Sequence, residues 1–134
     1  MRWLQALVFC GGLLYAAVDD LKTRTVSDII CIIIALAGLI TISPASFWSA
    51  LLCMLPFFIC AGFGVIGGGD WRLAATIGFV LGPNRMFTGL CFMALLLLIA
   101  SLITKVFPSL RRFTSGKQPL VPYFAAAFIP AYFI

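Results

Sequence analysis

Long apolar runs alternate with short polar interruptions along this chain, and that alternation predicts the elements. The first run, Trp3 to Val18, is followed by a polar stretch from Asp19 to Asp28 that carries Lys22 and Arg24. Ser27 is placed to cap a second helix over about residues 28–42. A turn around Pro44, with Ser46 as the next cap, leads into a third run, Phe47 to Ile66. This run is long enough to span a bilayer, for which about 20 residues are needed. Pro56 predicts a kink there rather than a break, because membrane helices tolerate proline. Gly67-Gly68-Gly69-Asp70 then interrupts the pattern. Trp71 to Leu81 is helical in character but too short to cross alone at about 1.5 Å per residue. Gly82-Pro83-Asn84 reads as a turn. Met86 to Val106 is the longest span, residues 107–118 form a basic loop, and Leu120 to Ile134 is the last run. The expectation is an all-α, polytopic membrane bundle of about six helical segments with a short fourth one, forming a single membrane-embedded domain over residues 1–134.

Composition supports lipid as the solvent. Of 134 residues, 63% are hydrophobic and 10% charged, against about 25% charged in a soluble domain. The run after Arg2 has the flavour of a secretory signal but exceeds an apolar signal core of about 7–15 residues, so it reads as the first membrane helix. There is no His, which excludes Ser-His-Asp and Cys-His nucleophile systems and His-ligated metals. The five cysteines, Cys10, Cys31, Cys53, Cys60 and Cys91, lie inside apolar runs without a CxxC pair; they read as small hydrophobes, and no metal or cofactor is expected. Trp3, Trp48 and Trp71 fall near the expected interfaces, as belt residues do, while Gly11-Gly12 and Gly62-x-Gly64 suit close helix packing.

The net charge of +5 is carried by bases in short loops, with no basic stripe able to track phosphates, so no nucleic-acid partner is expected. Placing residues 19–27, 67–72 and 105–119 on one side gathers Lys22, Arg24, Arg72, Lys105, Arg111, Arg112 and Lys117 there, leaving Arg2 and Arg85 opposite. The bias puts the first group in the cytoplasm and brings Asp20 and Asp70 to the same face.

The acids are Asp19, Asp20, Asp28 and Asp70, with no Glu. Each admits a plain role: Asp70 as a helix cap, Asp19 and Asp20 as helix-end charges balanced by Lys22 and Arg24. The three glycines before Asp70 suggest more, since they permit positive φ and close approach of a backbone such as an extended peptide. Asp70 with one of the earlier pair would make a two-carboxylate site. Like charges a few ångströms apart cannot both ionise readily, so one carboxyl would hold a proton and polarise a carbonyl while the other activates water. Lys22 and Arg24 either favour the ionised form of Asp20 or mark the cytoplasmic side and contact lipid phosphate.

These residues also resemble a known pattern. Gly67-Gly68-Gly69-Asp70 fits the GxGD motif of membrane aspartyl proteases. Asp20-Leu21-Lys22-Thr23-Arg24 looks like the first-aspartate motif of the type IV prepilin peptidase family, and the tail from Gly116-Lys117 to Pro122-Tyr123 is similar to that family's closing segment. The resemblance implies Asp20 and Asp70 as the catalytic pair, since Asp20 is the acid followed directly by Leu-Lys-Thr-Arg. It implies Gly67, Gly69, Lys22 and Arg24 as supporting positions. By the same resemblance the substrate is a prepilin or pseudopilin, cut after Gly on the cytoplasmic side of the bacterial inner membrane, with membrane lipid as the other partner. Ser27-Asp28 stands where the family has Pro-Asn, and the cysteine-rich N-terminal region of longer members is lacking, implying a peptidase without methyltransferase activity. Presenilin-like proteases share GxGD but carry a Tyr-Asp first motif not found here. The opposed reading is a small transporter or a pilus or secretion assembly component.

Overall fold

The computed structural model describes residues 2–23, 26–64, 68–109 and 120–134, and all the regular structure among them is helical. The helices are α1 (Arg2–Thr23), α2 (Asp28–Gly38) extended by a 3-10 turn (Leu39–Thr41), α3 (Pro44–Gly62), α4 (Asp70–Val106) and α5 (Val121–Phe133). Three of them, α1, α3 and α4, are long and apolar enough to cross a membrane. Five helices stand where about six segments were expected, but α4 is two helical stretches that meet at a kink, so the short fourth segment and the fifth are both present within it. The expected turn contracts to one residue, Gly82, at φ 73° and ψ 174°. That backbone region is essentially reserved for glycine, and Pro83 is tolerated directly after it, where a new helical stretch begins and its missing N–H matters least. A Cβ at Gly82 would meet nothing within 4 Å, so Gly82→Ala isolates the backbone cost. Both Gly82→Ala and Gly82→Asn are expected to lose about 1–3 kcal/mol, measured by thermal unfolding in detergent.

Other boundaries move for local reasons. The polar stretch after Val18 stays helical to Thr23, whose Oγ1 donates to the Asp19 carbonyl at 2.8 Å, and Lys22 in the last turn suits the negative end of the helix. Ser27 does precede α2, but its hydroxyl makes no capping bond; the Ile30 N–H reaches the Ser27 carbonyl instead. Ser43, not Ser46, precedes α3, because Pro44 opens the helix. Ser46 lies inside the first turn, its Oγ 3.2 Å from that of Ser43. Pro56 is carried within α3 without ending it.

Packing of α3 is inverted relative to a helix of a soluble bundle. The buried residues of α3 are Ser46, Ser49 and Cys53, while Phe47, Trp48, Leu51, Leu52, Leu55, Phe58 and Ile59 face outward. Lipid tails are as apolar as these side chains, so small residues mark the inner face, where backbones approach closely. Ser49 Oγ lies 2.6 Å from the Gly78 carbonyl and 2.9 Å from the Ser46 carbonyl, sharing one proton between them. Of the glycines expected to pack, Gly12 meets Ile34, whereas Gly11 and Gly62 face open space and Gly64 takes a positive φ in a turn. Cys31 and Cys53 are buried as expected, but Cys60 and Cys91 are exposed. α5 forms the centre, burying Val121, Phe124, Ala125, Ala127, Phe128, Ala131 and Tyr132. Rings link it to its neighbours, Phe57 to Phe124 (5.0 Å) and Phe9 to Tyr132 (5.4 Å), while Phe124 and Phe128 stack within it at 5.7 Å.

The bundle has two distinct poles. At one, the start of α1, the end of α2, the start of α3, the bend of α4 and the end of α5 meet around a shared cleft. The other ends of these helices lie at the opposite pole, where Phe58 near the end of α3 packs edge-on against Trp71 at the start of α4.

Candidate active site

Helical phase decides which of the two neighbouring acids in α1 turns inward. The buried stripe of α1 runs Gln5, Ala6, Phe9, Leu13, Ala16, Ala17 and Asp20, the three-and-four spacing of one helix face. Asp20 ends that stripe at 5% exposure, with its Oδ2 withdrawn from solvent. Asp19, about 100° round the helix, is only partly buried, and Lys22 is exposed.

Asp70 is 8% exposed and is the first residue of α4. The helix-cap position falls on Gly69, so Asp70 is not itself the cap. Gly69 has an ordinary right-handed conformation (φ −86°, ψ −24°), so its backbone does not use the positive φ that the glycine run suggested. What it needs is closeness: a Cβ there would stand 3.1 Å from the Cβ of Val26. The segment leaving Asp20 thus touches the segment entering Asp70.

A second tie lies beside the first. Arg72 Nη1 donates to Asp28 Oδ1 at 2.8 Å, joining the first turn of α4 to the first residue of α2. The Arg72 guanidinium also sits 5.4 Å from the centroid of the Trp71 ring. Sequence reasoning noted Asp28 only as a departure from the family pattern. The signal available was its charge, opposite to that of an arginine two residues past the second motif aspartate. Both partners are more than half exposed, so Asp28→Asn is expected to cost at most about 1 kcal/mol, with the difference shrinking as salt rises in thermal melts.

Asp20 and Asp70 are therefore the two buried acids among four, and both lie at the same pole. Burial of an acid beside lipid is costly, and the helix fields at the two positions are opposite. Negative charge is favoured at the start of a helix, where Asp70 lies, and disfavoured in the last turn, where Asp20 lies. Arg24 and Gly67 lie outside the described residues, as does the tail from Gly116 to Pro119; Pro122 and Tyr123 belong to the first turn of α5.

A family model described as the type IV leader peptidase family matches residues 7–109. The chain belongs to the type IV leader peptidase family. Both buried acids, the whole of α2 and α3, and the bend of α4 fall within the match. This leader peptidase family is one of aspartic-type peptidases, that is, hydrolases. No curated protein and no solved structure matches the chain. The leader peptidase match ends before α5, the helix that fills the centre of the bundle, and does not reach the tail that resembled the family's closing segment.

Proposed function

We propose that this chain is a single-domain membrane endopeptidase that removes the basic leader from prepilin- or pseudopilin-like substrates, using Asp20 and Asp70 as its water-activating pair. The observation that carries this reading is the coincidence of burial with motif: the two acids selected by the Asp-Leu-Lys-Thr-Arg and Gly-x-Gly-Asp patterns are the two that the fold withdraws from solvent, at one pole. In this reading one carboxyl holds a proton and hydrogen-bonds the scissile carbonyl, while the other carboxylate takes a proton from water as it attacks. The tetrahedral intermediate then collapses as the amide nitrogen is protonated, with no covalent enzyme intermediate and no cofactor. The two titrations would belong to the pair.

The bases that the sequence carries after α1 and after α4 support a cytoplasmic face of a bacterial inner membrane for this pole. A substrate's basic leader would lie in the cytoplasm and its apolar helix in the bilayer, with the bond after Gly at the boundary. The exposed position of Lys22 fits contact with lipid phosphate.

The test is cleavage of peptides carrying a basic leader, Gly and an apolar helix by the protein in membranes. Products cut after Gly support the proposal. If properly inserted protein cut none of a panel of such peptides, a transport or assembly role would replace it.

A further inference from the structure

The pole away from the aspartates holds a polar cleft of about 290 Å³ lined by Arg2, Gln5, Thr41, Ser43, Arg85 and Tyr132, among others. A second cleft of about 240 Å³ adjoins it and shares Arg2, Arg85 and Tyr132. We infer that the two clefts form a binding site for a phosphate group, held between the guanidiniums of Arg2 and Arg85 and supplied by a lipid headgroup or by free phosphate.

Charge is the first reason. The chain has four acids, and the fold places all of them at the other pole: Asp19 and Asp20 near the end of α1, Asp28 at the start of α2 and Asp70 at the start of α4. Neither Arg2 nor Arg85 forms an ion pair with any carboxylate of the described residues. Two guanidiniums thus line one cleft with no acidic side chain at that pole to balance them. Helix ends do not supply or remove the difference. Three helical stretches begin around the cleft and three end there, so their fields largely offset one another, and the positive character rests on the two arginines.

Construction is the second reason. Gln5 is 2% exposed and fully engaged, its Nε2 donating to Thr41 Oγ1 at 2.8 Å. The Tyr132 hydroxyl lies 3.3 Å from Gln5 Oε1 and 3.2 Å from the Arg2 carbonyl, tying the end of α5 to the start of α1. The Arg85 guanidinium stacks on the Tyr132 ring at 5.5 Å from its centroid. A ring beneath a guanidinium fixes its plane and leaves its N–H edge for a planar or tetrahedral oxyanion. Ser43 and Thr41 add hydroxyls at the rim. A phosphate here would bridge α1, the α2–α3 connection, the second half of α4 and, through Tyr132, α5.

Depth in the membrane is the third reason. Trp3, 81% exposed, lines the adjoining cleft beside Arg2, and exposed tryptophans settle at headgroup level. Lipid phosphates lie at that level.

The experiment uses the intact protein in an uncharged detergent. Its thermal midpoint would be followed while phosphatidylglycerol, diacylglycerol of the same chains, or inorganic phosphate is titrated. The expected result is a saturable rise with phosphatidylglycerol and none with diacylglycerol. A matching rise with inorganic phosphate identifies free anion as a sufficient source; its lack assigns the site to lipid. In Arg2→Gln/Arg85→Gln the apparent affinity should fall about tenfold or more, as expected for loss of charge-assisted bonds. In Lys105→Gln, which removes a base from the last turn of α4, it should hold. Should the double variant at the cleft not fold, Arg85→Gln alone serves. Equal lipid affinity in the wild type and the cleft variant, or no rise with any phosphate, overturns the inference.

Discussion

Asp20→Asn and Asp70→Asn are each expected to lower leader cleavage by about 10³-fold or more, in line with loss of a general acid or base, while Asp19→Asn stays close to wild type. Asn matches Asp in shape, so the packing of α1 against its neighbours is preserved. Asn also keeps an acceptor oxygen, so the thermal midpoint of either variant should stay close to wild type. That separates chemistry from folding: loss of cleavage with an unchanged or higher midpoint marks a reacting group, whereas loss of both marks a structural one. The neighbouring variant tests register. Asp20 ends the buried stripe and Asp19 does not, so a dead Asp19→Asn beside an active Asp20→Asn would transfer the role to the wrong face of α1 and undo the assignment.

The largest expected effect on stability lies at Gly78. A Cβ there would fall 2.7 Å from the Ser49 carbonyl oxygen, 2.8 Å from the Cys53 Cβ and 3.0 Å from the Ala50 Cα. These are mostly backbone atoms of α3, which cannot turn aside as a side chain can. Gly78→Val must push α3 and α4 apart, and this also stretches the Ser49–Gly78 hydrogen bond. A cost of about 3 kcal/mol is expected, the upper end for overpacking. Gly11 is the internal control. A Cβ at Gly11 meets nothing within 4 Å, so Gly11→Ala should stabilise by up to about 1 kcal/mol through helix propensity. Thermal unfolding of both variants in one detergent gives the comparison; equal shifts would contradict the close contact of α3 with α4.

Much of this architecture was legible because the bilayer simplifies the code. Uninterrupted apolar runs gave the helices, and the motif register singled out Asp20 from Asp19 before helical phase was known. The misplaced features have physical causes. The polar residues after Val18 looked like a loop, yet α1 continues through them, since exposed Lys22 and Thr23 oppose a helix no more than lysine and threonine do elsewhere. Ser46 looked like a cap because hydroxyls favour that position, but Pro44 opens a helix one turn earlier. Gly82-Pro83 looked like a full turn, and a single glycine at positive φ sufficed. The glycines before Asp70 were read for conformational freedom, whereas Gly69 serves closeness to Val26. Neither the Asp28–Arg72 pair nor the arginine cleft was foreseen: both depend on helices distant in sequence, and no local pattern encodes which ends meet.

The bend at Gly82 has a consequence for the membrane itself. Residues 70–81 advance about 18 Å at 1.5 Å per residue, and the 13 residues of α5 advance about 20 Å. Both reach from one pole of the bundle to the other, while the hydrocarbon layer of a typical bilayer is about 30 Å thick. Where these short helices reach lipid, the two leaflets must draw together, whereas α1 is long enough to cross at full thickness. The protein is therefore a local pinch in the bilayer. Each ångström of mismatch carries a penalty of a fraction of a kcal/mol, so thick membranes should exclude the molecule or strain it. Lipid chain length thereby becomes a physical control on where it resides.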